Sequence, residues 1–214
     1  MKISPIPIYV VNLKKREDRL QTTLLELQNI FDIKKVKVNL IEAQYSPRNG
    51  AIGCSSSHAF AISKFLHETD APAGLFIEDD FQCLDPIYFI NTLDKILSLP
   101  SKWDVALLAH NQAFKQAPTD HANIFKILNA QTASAYIVNR VYAPNLIQLF
   151  FKSSNLLSTS VGHIENSNSK YLFALDMLWK NEQINNFFIA PFPPCSIQRE
   201  SFSDIENRNV NYGV

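Results

Sequence analysis

Glycine is scarce in this chain, and its scarcity argues against one common way of binding phosphate. Only five glycines occur among the 214 residues, and they form neither a G-x-G-x-x-G nor a G-x-x-x-x-G-K-[ST] pattern. Both patterns build a backbone cradle for phosphate groups. A nucleotide diphosphate bound here would therefore need a metal ion, basic side chains or a helix N-terminus to meet its charge.

The chain also has few cysteines and no net charge. Cys54, Cys83 and Cys195 are widely spaced, with no Cys-x-x-Cys pair and no Cys/His cluster of zinc-site spacing along the sequence. They are predicted to be reduced, mostly buried thiols. Twenty basic residues balance twenty acidic ones, which argues against nucleic acid as a partner.

Long apolar runs are absent as well. No stretch approaches the ~18 apolar residues of a membrane span, and the opening segment lacks a small-residue cleavage site. We therefore expect no transmembrane segment and no export by a classical signal.

Apolar strands alternate with amphipathic helices along most of the chain. The patterns predict strands near 8–11, 36–40, 75–77, 105–108 and 135–138, and helices near 20–31, after a serine cap at 55–57, and near 87–97. This alternation predicts one α/β domain over residues 1–214, with a mostly parallel sheet and helices on both faces. Two polar segments, 109–123 and 153–170, are predicted to be binding loops or lids.

The sharpest local feature is an acidic triplet, Glu78, Asp79 and Asp80, directly after the strand at 75–77. Ligands of open α/β sheets bind at the carboxyl ends of strands. Glu78 and Asp80 are therefore candidate ligands for Mn²⁺ or Mg²⁺, whose other positions would hold diphosphate oxygens. The alternative is a solvated acidic turn that only ends the strand.

A second block, at 50–58, joins two glycines to a run of serines and His58. Free N–H groups and hydroxyls at a helix start could hold a sugar or a phosphate. A nucleophilic Cys54/His58 pair is an alternative, although no orienting acid is placed by sequence. A third interpretation makes His58 an ordinary helix residue that bonds locally.

Five blocks stand in a fixed order: IYVVNLKKREDR at 8–19, AIGCSSSH at 51–58, FIEDD at 76–80, TASAYIVN at 132–139 and PPCSIQRESFSDI at 193–205. Together they resemble glycosyltransferase family 25, the lipooligosaccharide and collagen β-galactosyltransferase group. The blocks span nearly the whole chain, and the ordered set is more specific than any one of them. The serine-rich GCSSSH departs from the small apolar residues often found there in the family.

The resemblance implies a GT-A-type, Rossmann-like fold, with a nucleotide-sugar half at about 1–108 and an acceptor half at about 109–214. It implies an inverting transfer of a hexose, usually galactose from UDP-galactose, to a lipooligosaccharide or other glycan acceptor, with Mn²⁺ or Mg²⁺ as cofactor. It further implies a cytoplasmic enzyme, with or without peripheral contact to the inner membrane. The residues it assigns to the donor are Asn12, Leu13, Arg16, Arg19, Ser57, His58, Asp79 and Gln198, with Glu78 and Asp80 as metal ligands.

Asp176 is the candidate catalytic base. It is a lone acid in the apolar stretch 171–179 and matches a late aspartate of the family. A buried acid is costly unless it is used or paired. The alternative is an aspartate at a helix N-terminus, and Asp104, Glu165 and Asp204 are the other candidate acids.

A rival function of a different class is a non-catalytic carbohydrate-binding or assembly protein that keeps the fold. The acidic triplet together with Asp176 favours the enzyme, because a binding module needs neither a metal site nor a base.

Overall fold

The computed structural model describes residues 6–31, 36–100, 102–111, 113–160, 166–203 and 208–211. Its strands are β1 Ile8–Asn12, β2 Val38–Glu42, β3 Ala73–Glu78, β4 Phe81–Cys83, β5 Val105–Leu107, β6 Phe114–Pro118, β7 Ile124–Leu128, β8 Ala135–Asn139, β9 Phe188–Pro191, β10 Ser196–Gln198, β11 Ser201–Ser203 and β12 Arg208–Val210. Its helices are α1 Glu17–Ile30, α2 Gly50–Glu68, α3 Pro86–Leu97, α4 Ala143–Ser160, α5 Asn166–Phe173 and α6 Leu175–Asn185.

One central sheet organises the described residues, with eight strands in the order β2-β1-β3-β8-β5-β9-β7-β6. The pairings make β1, β2, β3, β5, β6 and β9 run in one direction, whereas β7 and β8 run in the other. The predicted mostly parallel sheet is confirmed in this sense. Because β8 lies between β3 and β5, the two halves of the sequence interleave in the sheet.

Helices cover both faces of the sheet, as predicted. Alternate residues of a strand point to opposite faces, and Ile8 and Val10 of β1 pack in one core with α1 and α3. Tyr9 and Val11 pack in the other core, which contains residues of α2, α4 and α6. Strand β1 is buried along its whole length for this reason.

The start of α2 differs from the prediction. The serines at 55–57 do not cap the helix, because α2 begins at Gly50 and the side chain of Asn49 accepts a hydrogen bond from the Ala51 N–H at 3.0 Å. The hydroxyl groups of Ser55 and Ser57 instead donate to carbonyl groups one turn earlier in the helix. Because these serines are small and their hydroxyl groups are hydrogen-bonded within α2, helix α4 can pack closely against α2. Ser55 Oγ lies 2.8 Å from Ser153 Oγ of α4.

The prediction that residues 109–123 and 153–170 form binding loops is wrong in large part. Residues 114–118 and 124–128 form the antiparallel pair β6–β7, and β6 is an exposed edge strand. Residues 153–160 belong to α4 and residues 166–170 to α5, while 161–165 lie outside the described residues. Helix α4 was not predicted, because its serines and asparagines interrupt the apolar pattern of its buried face. The buried residues of that face include Leu146, Phe150, Ser153 and Leu157.

Gly53 is required where α2 passes the segment after β2. A Cβ atom added at Gly53 would overlap the backbone carbonyl oxygen of Gln44, which cannot move alone. We expect Gly53→Ala to lower the free energy of unfolding by ~1–3 kcal/mol. This loss should exceed the ~1 kcal/mol gained from helix propensity.

Gly74→Ala is the matched control for Gly53→Ala. A Cβ there would lie 3.1 Å from the Phe65 and Phe76 rings, which are side chains that can shift. Denaturant titration of both variants should therefore give a clearly smaller loss for Gly74→Ala. Equal losses would show that Gln44 and α2 are not held as tightly as the structure indicates.

Candidate functional site

The predicted site residues meet at the carboxyl edge of the sheet. Asn12 ends β1, Glu78 ends β3, and Asp79 and Asp80 form the turn that follows. Arg19 reaches the same place from the first turns of α1. This is the edge where open α/β sheets bind their ligands.

Arg19 is ion-paired with the acidic triplet. Its Nη1 lies 3.0 Å from Asp79 Oδ1, and its Nη2 donates to Asp80 Oδ2. The Gln198 Nε2 also donates to Asp80 Oδ2, at 3.0 Å. Strand β10, which carries Gln198, pairs with β4 and so holds the late part of the chain against the acids.

Burial, neighbouring charges and hydrogen bonds raise the pKa values of two of these acids and lower that of the third. Burial raises the pKa of Asp79 to about 7 and that of Asp80 to about 6, against partial compensation by Arg19. Burial also acts to raise the pKa of Glu78, but the hydrogen bond and charge of His58, helped by Arg19, outweigh it and lower that pKa. Arg19 therefore offsets only part of the effect of burial on Asp79 and Asp80.

A chain of buried hydrogen bonds stands behind Glu78. His58 has no exposed surface, and its Nδ1 lies 2.8 Å from the Tyr136 hydroxyl. Its Nε2 lies 3.0 Å from Glu78 Oε1, to which the Cys54 thiol donates at 3.6 Å. The Tyr136 ring stacks on both Phe76 and His58, which fixes the imidazole.

Two clefts open at this edge. The first is lined by Leu13, Arg19, Tyr45, Asp79, Asp80 and Ser201, among others. The second is lined by Asn111, Gln131, Thr132, Lys170, Tyr171 and Asp176, among others. Cys54, Glu78 and Gln198 line both clefts and form the wall between them.

Asp176 lies in the second cleft, at the start of α6. Its Oδ2 accepts a hydrogen bond from the Thr132 N–H at 3.2 Å. Thr132 has φ = 87°, a left-handed conformation that a β-branched residue rarely adopts and that is often found at functional sites. Burial raises the pKa of Asp176, and the charge of Glu78 adds to this.

The other sequence-predicted residues lie near the first cleft in different roles. The buried Ser57 hydroxyl donates to Gly53 O at 2.6 Å and accepts from Gln44 N at 2.8 Å, which fastens the segment after β2 to α2. The Arg16 Nη1 donates to the Phe202 carbonyl at 3.1 Å, which ties the antiparallel pair β11–β12 to the start of α1. Asn12 donates to the Leu13 carbonyl at 2.9 Å.

Of the alternative acids, Asp104 lies away from the site. It precedes β5, at the sheet edge opposite Glu78, and its Oδ2 accepts from the Phe187 N–H at 2.7 Å. Glu165 and Asp204 lie outside the described residues.

Sequence reasoning missed several residues of the clefts. Tyr45 was detectable, because it follows the carboxyl end of β2. Tyr136 carried a weaker signal, a hydroxyl inside an apolar strand that must find a buried partner. Asn111 lies in the predicted binding loop at 109–123 and Ser201 in the block at 193–205, although neither residue was singled out, and both line a cleft. Gln131 had no local signal, because only the tertiary fold brings it to the site.

The acidic triplet has the chemistry to hold a divalent cation. Asp80 Oδ1 is buried without a hydrogen-bond partner among the described residues. Burial is the main cause of the raised pKa values of Asp79 and Asp80, and the neighbouring carboxylates add to it. Carboxylate oxygens suit Mn²⁺ and Mg²⁺, so Glu78 and Asp80 fit the predicted role.

None of the helices in the described residues has the length and apolar character needed to span a bilayer.

Comparison with known proteins gives the fold. No protein-family model and no curated protein matches the chain. A glycosyltransferase involved in the glycosylation of the major capsid of PBCV-1 superposes with a TM-score of 0.55 at 10% identity, covering 95% of this chain and 97% of that one. A mannose-1-phosphate geranyltransferase from Thermus thermophilus superposes with a TM-score of 0.51 at 9% identity, covering 91% and 74%. The chain therefore has a mixed α/β fold of the GT-A glycosyltransferase type.

Proposed function

We propose that this protein is an inverting glycosyltransferase of the family 25 type, acting in the cytoplasm. It transfers a hexose, galactose from UDP-galactose, to a lipooligosaccharide or other glycan acceptor. The observation that carries the proposal is the pair of adjoining clefts, with the acidic triplet in one, Asp176 in the other and Glu78 in their common wall.

The first cleft suits a nucleotide-sugar. Asn12, Leu13 and Tyr45 stand at the ends of β1 and β2, where a nucleoside would bind. Glu78 and Asp80 would hold Mn²⁺ or Mg²⁺, which supplies positive charge to the leaving diphosphate. Arg19 keeps Asp79 and Asp80 in place beside it.

The second cleft suits the acceptor. Asp176 would take the proton from the acceptor hydroxyl as that hydroxyl attacks the anomeric carbon, which inverts the configuration. Its raised pKa makes it a stronger base than an ordinary aspartate. Amide side chains at Asn111 and Gln131 and the exposed Tyr171 ring offer the hydrogen bonds and apolar face that sugars need.

Proton NMR of the reaction mixture tests this proposal. With UDP-galactose, Mn²⁺ and a panel of lipooligosaccharide core fragments, the α-linked donor should be consumed and a β-linked galactoside should appear. An α-linked product would contradict the inverting mechanism, and no transfer to any acceptor would contradict the enzyme.

A further inference from the structure

A cluster of metal-binding side chains lies in the wall between the two clefts, and the acidic triplet does not account for it. One ligand atom each from Cys54, His58 and Glu78 lies within 4.8 Å of the others. In the described part of the chain this is the one such gathering of three His, Cys, Asp or Glu side chains. The sequence spacing predicted no cysteine–histidine metal cluster, and the missing partner is Glu78, which β3 brings beside α2.

Two of the three donor pairs already have nearly the spacing of a tetrahedral site, and the third lies within 4.8 Å. Zinc bonds of ~2.0 Å to nitrogen and oxygen and ~2.3 Å to sulfur place tetrahedral ligands roughly 3.3–3.6 Å apart. His58 Nε2 and Glu78 Oε1 are 3.0 Å apart, and Cys54 Sγ and Glu78 Oε1 are 3.6 Å apart. Shifts of a few tenths of an ångström would bring these pairs to coordination distance.

The surroundings of His58 are those of a metal ligand. A ligating histidine normally donates its other ring N–H to an oxygen, which fixes the tautomer and the ring orientation. Here the Tyr136 hydroxyl lies 2.8 Å from Nδ1 and can accept that proton, so Nε2 can coordinate once it gives up the proton that it shares with Glu78. The Phe150 ring packs edge-on against the imidazole and keeps it from turning.

We propose that Cys54, His58 and Glu78 form a binding site for a thiophilic divalent cation such as Zn²⁺. The cation replaces the hydrogen bonds that Glu78 now makes with His58 and Cys54. Cys54 binds as the thiolate and His58 through an unprotonated Nε2, so the thiol proton and the proton that Nε2 shares with Glu78 are both released to solvent. The fourth position faces the clefts, which Cys54 and Glu78 both line, and this is also the entry path.

The site differs from the acidic triplet in the ion that it selects. Thiolate and imidazole ligands favour Zn²⁺ or Co²⁺, whereas an all-carboxylate site favours Mn²⁺ or Mg²⁺. Because Glu78 belongs to both, Zn²⁺ would remove it from the Mn²⁺ site and inhibit sugar transfer. That consequence rests on the proposed function, whereas the binding of Zn²⁺ itself does not.

Cobalt titration of metal-free protein, without any nucleotide-sugar, tests the site. One equivalent of Co²⁺ should produce a near-ultraviolet thiolate charge-transfer band and strong visible bands of a tetrahedral centre, and Zn²⁺ should abolish both. Cys54→Ser should lose the charge-transfer band, whereas Cys83→Ser, which alters a thiol outside the cluster, should keep it. Tyr136→Phe should bind Zn²⁺ ~10-fold more weakly.

Asp80→Asn separates this site from the proposed function. The variant should keep the full cobalt spectrum, because Asp80 is not a member of the cluster. Absence of the charge-transfer band in the wild type, or its persistence in Cys54→Ser, would overturn the proposal. Neither result depends on whether the protein transfers a sugar.

Discussion

Replacing Asp176 with asparagine should lower sugar transfer by ~10²- to 10⁴-fold, the range expected when a general base is lost. The amide is nearly the same shape and can still accept the Thr132 N–H that Asp176 now accepts at 3.2 Å. It cannot take the proton of the acceptor hydroxyl. Donor affinity should stay near the wild-type value, because Asp176 lines the second cleft and not the first.

Asp104→Asn is the matched control for this result. Asp104 also accepts one backbone N–H, that of Phe187, but it lies at the opposite edge of the sheet. Turnover per folded molecule should therefore be unchanged in Asp104→Asn, even if its stability falls. Transfer near the wild-type rate in Asp176→Asn would eliminate Asp176 as the base.

Replacing Asp80 with asparagine should abolish the Mn²⁺-dependent part of donor binding and leave the protein folded. Asp80 carries the one buried carboxylate oxygen of the triplet that has no hydrogen-bond partner among the described residues. The neutral amide lacks the negative charge with which a carboxylate holds the cation, so it is a much weaker ligand. The remaining acids should be relieved of repulsion, because the charge of Asp80 acts to raise the pKa of Asp79.

In the absence of metal, Asp80→Asn should be more stable than the wild type, but only at pH values at which Asp80 of the wild type is ionised. The pKa of Asp80 rises from its ordinary value of 3.8 to about 6 in the folded protein, chiefly through burial. The folded state therefore holds this proton more tightly than the unfolded state. Ionised Asp80 therefore costs the folded protein stability, and this cost grows as the pH rises from about 4 to about 6.

Thermal unfolding in the presence of a chelator tests the direction of this pH dependence. Asp80→Asn should gain stability over wild type at about pH 7.5 and gain little at about pH 4, where both carry a neutral group. Asp70→Asn, an exposed acid at the other end of β3, should show neither effect. Unfolding of Asp80→Asn at neutral pH would mean that the acid is a structural partner of Arg19 and not a metal ligand.

The elements that the sequence predicted well are those whose environment is uniform. Strands β1 and β3 are buried on both faces and therefore appear as unbroken apolar runs. Helix α3 has a clear apolar stripe and an aspartate cap, and its predicted bounds agree with the structure within one residue at each end. Helix α4 was missed, because its contact with α2 uses serine where a typical core uses leucine.

Local sequence pattern predicted the candidate site only at strand ends, whereas Arg19, His58 and Gln198 were assigned through the family resemblance and line the first cleft. The position of the acidic triplet follows from a rule about parallel sheets, and the structure places it at that edge. The contact between His58 and Glu78 depends on the register of α2 against β3, which no local pattern encodes. The second cleft joins residues of the Asn111–Gln131 bridge, α5 and α6, so its shape depends on tertiary packing.

Calorimetry with a panel of nucleotide-sugars tests the central claim most directly. UDP-galactose should bind the wild-type protein at one site, and Mn²⁺ should strengthen that binding. The Mn²⁺-dependent increment should disappear in Asp80→Asn and persist in Asp176→Asn. Failure of every nucleotide-sugar in the panel to bind in the presence of Mn²⁺ would contradict the account.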